Sequence, residues 1–207
     1  VGKKVEYDAG GKMYLADYSY GTFTTAYEIG STVKGATLLT GYREGAVTIG
    51  ESQIDEPIIL GQNLTKSSIF NRSGRIRMDD LMALEQSSNV YMFKIAMSMG
   101  GLSYYPYIGI ASLLRDDTLQ RLRNGYAQVG LGVPTGIDLP GETAGVIGVP
   151  DSPGKVLDIT IGQFDTYTPL QLVQYVSTIA NGGYRVQPRL LKEIRKPSKD
   201  GETLGPL

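Results

Sequence analysis

The chain has 207 residues, 41% hydrophobic and 20% charged, enough to bury the core of one soluble domain. A net charge of −1 and a pI near 5.6 argue against nucleic acid as a partner. With no Cys and no His, the chain excludes disulfides, a Ser-His-Asp triad, a Cys nucleophile and the usual His/Cys zinc sites, so no metal or cofactor is expected. It lacks an apolar run of about 18 residues that would span a bilayer. It begins at Val1 with no signal-peptide pattern, and so reads as a processed or excised piece.

In chain order, residues 1–21 scatter Gly and Tyr without a sustained period and read as an irregular lead-in. A helix is expected over 31–42. Gly35 inside it costs about 1 kcal/mol relative to Ala, which suggests that something packs close. Two short β-like runs follow at 47–50 and 57–60, then a polar loop through Arg77. Residues 78–86 (MDDLMALEQ) and 90–99 (VYMFKIAMSM) form a helix pair, the second apolar almost all round and therefore central. A helix broken at Pro106 is expected over 103–113, and an amphipathic one over 116–128. Residues 130–154 are so rich in Gly and Pro that they read as a long ordered loop. Thr168, Pro169 and Asn181-Gly182-Gly183 supply the cap, first turn and stop of a helix over 168–181. Residues 184–194 suggest a strand and 191–207 a polar tail.

Two clusters bear chemistry. Gly30 breaks the chain before Ser31, a favourable cap or first-turn residue, and Lys34 follows three residues later on the same helical face. A hydroxyl beside an amine at a helix N-terminus supplies a nucleophile and a base. The dipole there disfavours a protonated lysine and favours an oxyanion near the Ser31 N–H. Taken alone, this spacing fits a plain cap and a solvated lysine better. A second copy, Ser152-Pro153-Gly154-Lys155, holds a Pro-Gly expected to turn, which would leave its side chains on no common face. The other cluster is Ser87-Ser88-Asn89, the only Ser-x-Asn in the chain, set between the two central helices. By itself it also reads as a cap.

In this order, Ser-x-x-Lys then Ser-x-Asn resembles the transpeptidase domain of class B penicillin-binding proteins, of the penicillin-binding protein 2B type. Residues 22–28 (TFTTAYE), 83–89 (ALEQSSN), 126–142 (YAQVGLGVPTGIDLPGE) and 161–183 (IGQFDTYTPLQLVQYVSTIANGG) are similar to that family. They span most of a family-like core over 22–190.

The resemblance implies one partial domain over 1–207 of α+β class. It would be mostly helical, the helical part of the fold with most of its central sheet missing. Ser31 would be the acyl-accepting nucleophile and Lys34 its base, with Ser87 as proton relay and Asn89 orienting the substrate amide. The implied function is a serine D,D-transpeptidase of peptidoglycan cross-linking. Its partners would be the D-Ala-D-Ala stem peptide, β-lactams and other cell-wall synthesis proteins. Its place would be the extracytoplasmic face of the bacterial membrane, anchored by a segment outside this chain.

The chain departs from the family pattern at Ile29, where Pro is frequent, and in having no Lys-Thr-Gly or Lys-Ser-Gly. Arg72-Ser73-Gly74 imitates that third motif but precedes Ser87, which is the wrong order. The chain by itself is therefore expected to be poorly active. Alternatives are a serine β-lactamase or β-lactam sensor, for which the Glu-x-x-Leu-Asn of class A enzymes is absent, and a non-catalytic cell-wall assembly module. Tyr104, Tyr105 and Tyr107 suggest a glycan surface, though packing explains them better. The basic residues Arg185, Arg189, Lys192, Arg195 and Lys196 suggest contact with anionic polymer, though a solvated edge explains them better.

Overall fold

The computed structural model describes residues 2–61, 64–114, 117–196, 198 and 205. Its centre is α4 (Asn89–Met99), whose Val90, Tyr91, Met92, Phe93, Ile95, Ala96, Met97 and Met99 are all buried. Only Lys94, half-buried, and the exposed Ser98 interrupt its apolar surface between Val90 and Met99, and each fully buried large side chain contributes roughly 1.5–3 kcal/mol. Around it pack α2 (Lys34–Arg43), α5 (Thr118–Gln128) and α6 (Pro153–Ile159). The short α1 (Gly21–Thr24) lies against α7 (Pro169–Ala180), and α3 (Asp80–Glu85) precedes α4.

The strands make three separate antiparallel pairs: β1 (Gly2–Tyr7) with β2 (Met13–Tyr18), β3 (Gln53–Asp55) with β6 (Ile76–Met78), and β4 (Ile58–Gly61) with β5 (Leu64–Lys66). This is the mostly helical α+β architecture with a partial sheet that the resemblance implies.

The helix at 168–181 is α7, opened by a full capping box: Thr168 Oγ1 accepts from Gln171 N–H, and Gln171 Oε1 accepts from Thr168 N–H. The long loop is ordered by side chains that satisfy its backbone. Glu142 accepts from Thr135 and Gly136, while Gln171 Nε2 donates to Val133 O and Ala144 O.

Several expectations are corrected. Residues 1–21 contain a hairpin, its turn held by Asp8 Oδ1 accepting from Gly10 and Lys12 N–H at 2.9 Å each. Val5, Tyr7, Met13, Tyr14 and Leu15 are all exposed on it, so no one-sided alternation marks the strands. Residues 47–50 form a turn rather than a strand, Gly50 N–H donating to Asp80 Oδ2. The polar loop before Arg77 instead holds β5 and the start of β6, pieces too short for a period to show.

Residues 103–113 are not a helix. Pro106 offers no donor, Tyr107 has φ +64, and Tyr107 N–H and Tyr104 Oη bond to Ile59 O and Ile59 N–H on β4. Only a 3-10 turn at Ala111–Leu114 forms. Of the helix expected over 116–128, Asp116 lies outside the described residues, and α5 begins at Thr118. Residues 184–194 have no strand partner among the described residues. Arg185 donates to Ala127 O and Pro134 O, and Leu190 and Leu191 N–H donate to Asp138 at 2.8 Å each.

Gly35 is explained by Tyr175 of α7, whose hydroxyl donates to Thr32 O and accepts from Ala36 N–H, both at 3.0 Å. A Cβ on Gly35 would lie 2.5 Å from that oxygen. Gly35→Ala is therefore expected to destabilise by roughly 1–3 kcal/mol despite alanine's better helix propensity. In a Tyr175→Phe background the same change should cost less, because the colliding oxygen is gone. Urea denaturation of the four proteins reads this coupling, and strict additivity would refute the contact.

Candidate active site

The turn that carries Ser31 is a 3-10 turn, Gly30–Val33, feeding directly into α2. In 3-10 geometry residues i and i+3 eclipse, so Ser31 and Lys34 share one face more strictly than in an α-helix. No side chain caps this turn. It is set instead from the other side of the chain. Gly30 has φ +54, and its N–H donates to Gly162 O at 3.0 Å. Gly162, with φ +77, comes so close that a Cβ there would meet Gly30 O at 2.0 Å. Two further ties flank the turn. Tyr27 and Tyr167 exchange backbone bonds at 2.9 Å, and Phe164 N–H donates to Glu28 Oε1 at 3.2 Å.

Ser31 is exposed, and its hydroxyl makes no hydrogen bond among the described residues. Lys34 is 2% exposed. Its ammonium donates to Ser87 O at 2.7 Å, Ser87 Oγ at 2.8 Å and Asn89 Oδ1 at 2.7 Å. Three donors thus meet three acceptors, the condition for burying a lysine charge. Burial pushes the Lys34 pKa down to about 8, against the opposing pull of Asp55.

Ser87 and Asn89 flank Ser88, the N-cap of α4, whose Oγ accepts from Tyr91 N–H at 3.0 Å. The capping task therefore falls on Ser88, which leaves its neighbours free to face Lys34. Ser87 has φ +56, the left-handed region that a non-glycine residue occupies at a cost of about 1 kcal/mol or more. Asn89 Nδ2 also donates to Ser67 O at 3.3 Å.

Behind this loop sits Asp55 on β3, 1% exposed, accepting from the hydroxyls of Ser68 and Ser88 and from Asn71 Nδ2. None of Asp55, Ser68, Asn71, Gly162 or Tyr175 stood out in the sequence. Only Gly162 and Tyr175 carried a signal, as members of the family-like stretch 161–183.

The second Ser-x-x-Lys is corrected in detail. Pro153 starts α6 rather than a turn, so Ser152 and Lys155 do share a helix start. Lys155 instead pairs with Asp151 at 2.9 Å on the surface and lies over the Phe164 ring, with no bond to a Ser-x-Asn loop among the described residues. Arg72-Ser73-Gly74 lies in a loop where Gly74 N–H donates to Asn71 Oδ1 at 2.8 Å. Tyr105 and Tyr107 are exposed, whereas Tyr104 is packed beneath Lys94. Among the described residues no group of acidic side chains is placed to hold a metal, and no helix is long and apolar enough to cross a membrane.

A helical core that sets a serine–lysine turn against a Ser-x-Asn loop defines the class of protein. The chain belongs to the penicillin-binding protein transpeptidase domain family, whose model matches residues 2–205. It is 49% identical to penicillin-binding protein H of Bacillus subtilis over 96% of its own length and 27% of that protein's. The peptidoglycan D,D-transpeptidase MrdA of Haemophilus influenzae is 28% identical over 82% of this chain and 25% of its own. The solved penicillin-binding protein 2B of Streptococcus pneumoniae strain R6 superposes with a TM-score of 0.89 at 35% identity. That match covers 99% of this chain and 33% of the other. The chain thus spans about a quarter of the length of these curated relatives.

The depressed Lys34 pKa makes a checkable statement. Folded Lys34 releases its proton near pH 8, the unfolded chain only near 10.5. Its burial therefore costs stability at every pH below 8, on the order of 3 kcal/mol, and this cost is relieved as pH rises from 8 toward 10.5. NMR titration of the Lys34 Cε resonance should give a midpoint near 8; a midpoint above 10 would remove the desolvated site.

Proposed function

We propose that the chain is the catalytic helical part of a serine D,D-transpeptidase, with Ser31 as the acyl-accepting residue. The observation that carries this is the buried Lys34 ammonium, bonded to Ser87 and Asn89 and set one 3-10 turn from an exposed Ser31 hydroxyl that bonds to none of the described residues. A pKa near 8 leaves about one lysine in ten neutral at pH 7, a usable fraction of general base without bulk deprotonation.

In this reading the neutral Lys34 amine takes the Ser31 proton as Oγ attacks the carbonyl carbon of the D-Ala-D-Ala bond. Ser87 Oγ, already bonded to Lys34, carries that proton to the departing D-Ala amine as the C–N bond breaks. An amine of a second stem peptide then attacks the Ser31 ester and restores the hydroxyl. The Ser31 N–H forms half of the oxyanion hole. Asn89, with one Nδ2 hydrogen still available, orients the substrate amide. A β-lactam carbonyl would enter by the same first step, in keeping with the penicillin binding for which the family is named.

The Haemophilus relative's name, a peptidoglycan D,D-transpeptidase, supports peptidoglycan as the substrate class, and the D-Ala-D-Ala stem peptide is what the family resemblance implies. The same reading places the intact protein on the extracytoplasmic face of the membrane. There it would be anchored by a segment outside this chain and work beside other cell-wall synthesis proteins. The second oxyanion donor and the cation that grips the substrate carboxylate would come from a Lys-Thr-Gly strand, which this sequence does not contain.

Intact-mass measurement after incubation with a labelled penicillin tests the reading. The intact protein should gain one acyl group, and Ser31→Ala none. The isolated 207-residue chain should label at least about 100-fold more slowly, the usual effect of losing an oxyanion donor. Labelling of the Ser31→Ala protein would remove Ser31 as nucleophile.

A further inference from the structure

We propose that Asp55 is a positioning residue of this site: through the hydroxyls of Ser68 and Ser88 its carboxylate holds the start of α4, and with it Ser87 and Asn89, around the Lys34 ammonium. This rests on the reading of Ser31 and Lys34 as the acylating pair.

The bonding pattern has one direction throughout. Asn89 and Val90 N–H donate to Ser68 Oγ at 2.9 and 3.2 Å, and Tyr91 N–H donates to Ser88 Oγ at 3.0 Å. These are the first three N–H groups of α4, which have no acceptor inside the helix. Each serine hydroxyl has a single proton to give, and both protons point to the same oxygen, Asp55 Oδ2. The two hydroxyls are 3.4 Å from each other, farther than either is from the carboxylate. The other carboxylate oxygen and the Asp55 carbonyl both take Asn71 Nδ2, at 2.8 and 2.9 Å. The result is a helix cap in two tiers: helix N–H into hydroxyl, hydroxyl into carboxylate. A negative charge at that end also suits the helix dipole.

Asparagine at 55 would keep the size and lose this logic. Its Oδ1 can accept, but its Nδ2, a donor only, would then face either the hydroxyls, of which Ser68 Oγ already accepts from two N–H groups, or the donor Nδ2 of Asn71. One tier must give way, and the residue moved first is Asn89, the first residue of α4 and a ligand of Lys34.

Charge adds a second consequence. Among the described residues the cations that feel Asp55 are Lys34 of α2 and Lys94 of α4, the latter donating to Ile54 O at 2.6 Å. Lys66 of β5 is already paired with Asp158 of α6, and the Ser87–Asn89 loop carries no charge. Among the described residues Asp55 is thus the carboxylate acting on Lys34, and it favours the charged lysine. Removing it lets Lys34 deprotonate at lower pH.

The experiment measures acylation of the intact protein by a labelled penicillin from pH 5 to 10, for wild type, Asp55→Asn and Ser31→Ala, with near-UV circular dichroism to give the folded fraction. For Asp55→Asn we expect a 10- to 100-fold slower acylation per folded molecule, with the midpoint of the rising limb moved to lower pH. Wild-type rate and midpoint in Asp55→Asn would overturn the proposal alone. So would a loss of labelling that merely follows lost folded protein with an unmoved midpoint. No label at Ser31 in the wild type would overturn the site reading, and the proposal with it. If Asp55→Asn does not fold, Ser68→Ala takes its place. That variant keeps the charge and removes one tier of the cap. At least tenfold slower acylation at an unchanged melting temperature supports the proposal, and a wild-type rate overturns it.

Discussion

The whole site depends on how a lysine charge is kept out of water. An ammonium at 2% exposure survives only if each of its three protons finds an acceptor, and α2 by itself offers none. Ser87 and Asn89 supply all three from a loop 53 to 55 residues further along the chain. That requirement fixes the distance between the start of α2 and the start of α4. The remaining contacts make the spacing rigid. Thr37 Oγ1 bonds with Tyr126 Oη at 2.7 Å and donates to Thr160 O at 2.8 Å, so α2 is tied to α5 and to the end of α6. On the far side of α5, Arg123 grips the buried Asp165 through two nitrogens, and the same carboxylate accepts from Gly148 N–H. The loop that reaches Gly162 and the Ser31 turn is therefore held from both directions.

How much of this was legible in the sequence varies with the range of the forces involved. The central helix, the Thr168 cap and stop of α7 and the interhelical Ser-Ser-Asn loop are legible, because each is encoded within a few consecutive residues, although the capping box that Gln171 completes went unread. Apolar residues on almost every side of 90–99 leave no alternative to burial, and Thr168 with Pro169 is a local instruction to start a helix. The Ser31–Lys34 spacing was visible but undecided. Its twin at Ser152–Lys155 has the same letters and also starts a helix. What separates the two copies is burial and a partner loop, and neither is written locally.

The errors follow the same rule from the other side. Strands of three or four residues such as β3 and β6 are too short for alternation, and they form because α4 and each other's backbones are present. Residues 103–113 had helix-forming letters but were recruited by the edge of β4 through Tyr104 and Tyr107. Asp55 was invisible for the most general reason. A buried carboxylate and a surface one look alike in a string, and Glu56 stands next to it. Only the arrival of Ser68 and Asn71 from one later segment and of Ser88 from another distinguishes them.

The left-handed backbone at Ser87 has a consequence for how this domain can change. Glycine would occupy that conformation more easily than serine, and asparagine more easily too. Either would ease the backbone, but each would remove the Ser87 hydroxyl and leave one proton of the buried Lys34 ammonium without its acceptor. The relief of about 1 kcal/mol is smaller than the usual cost of depriving a buried charge of a partner. Backbone preference read alone would therefore choose the wrong residue at 87, because the strained serine is held in place by the lysine it satisfies.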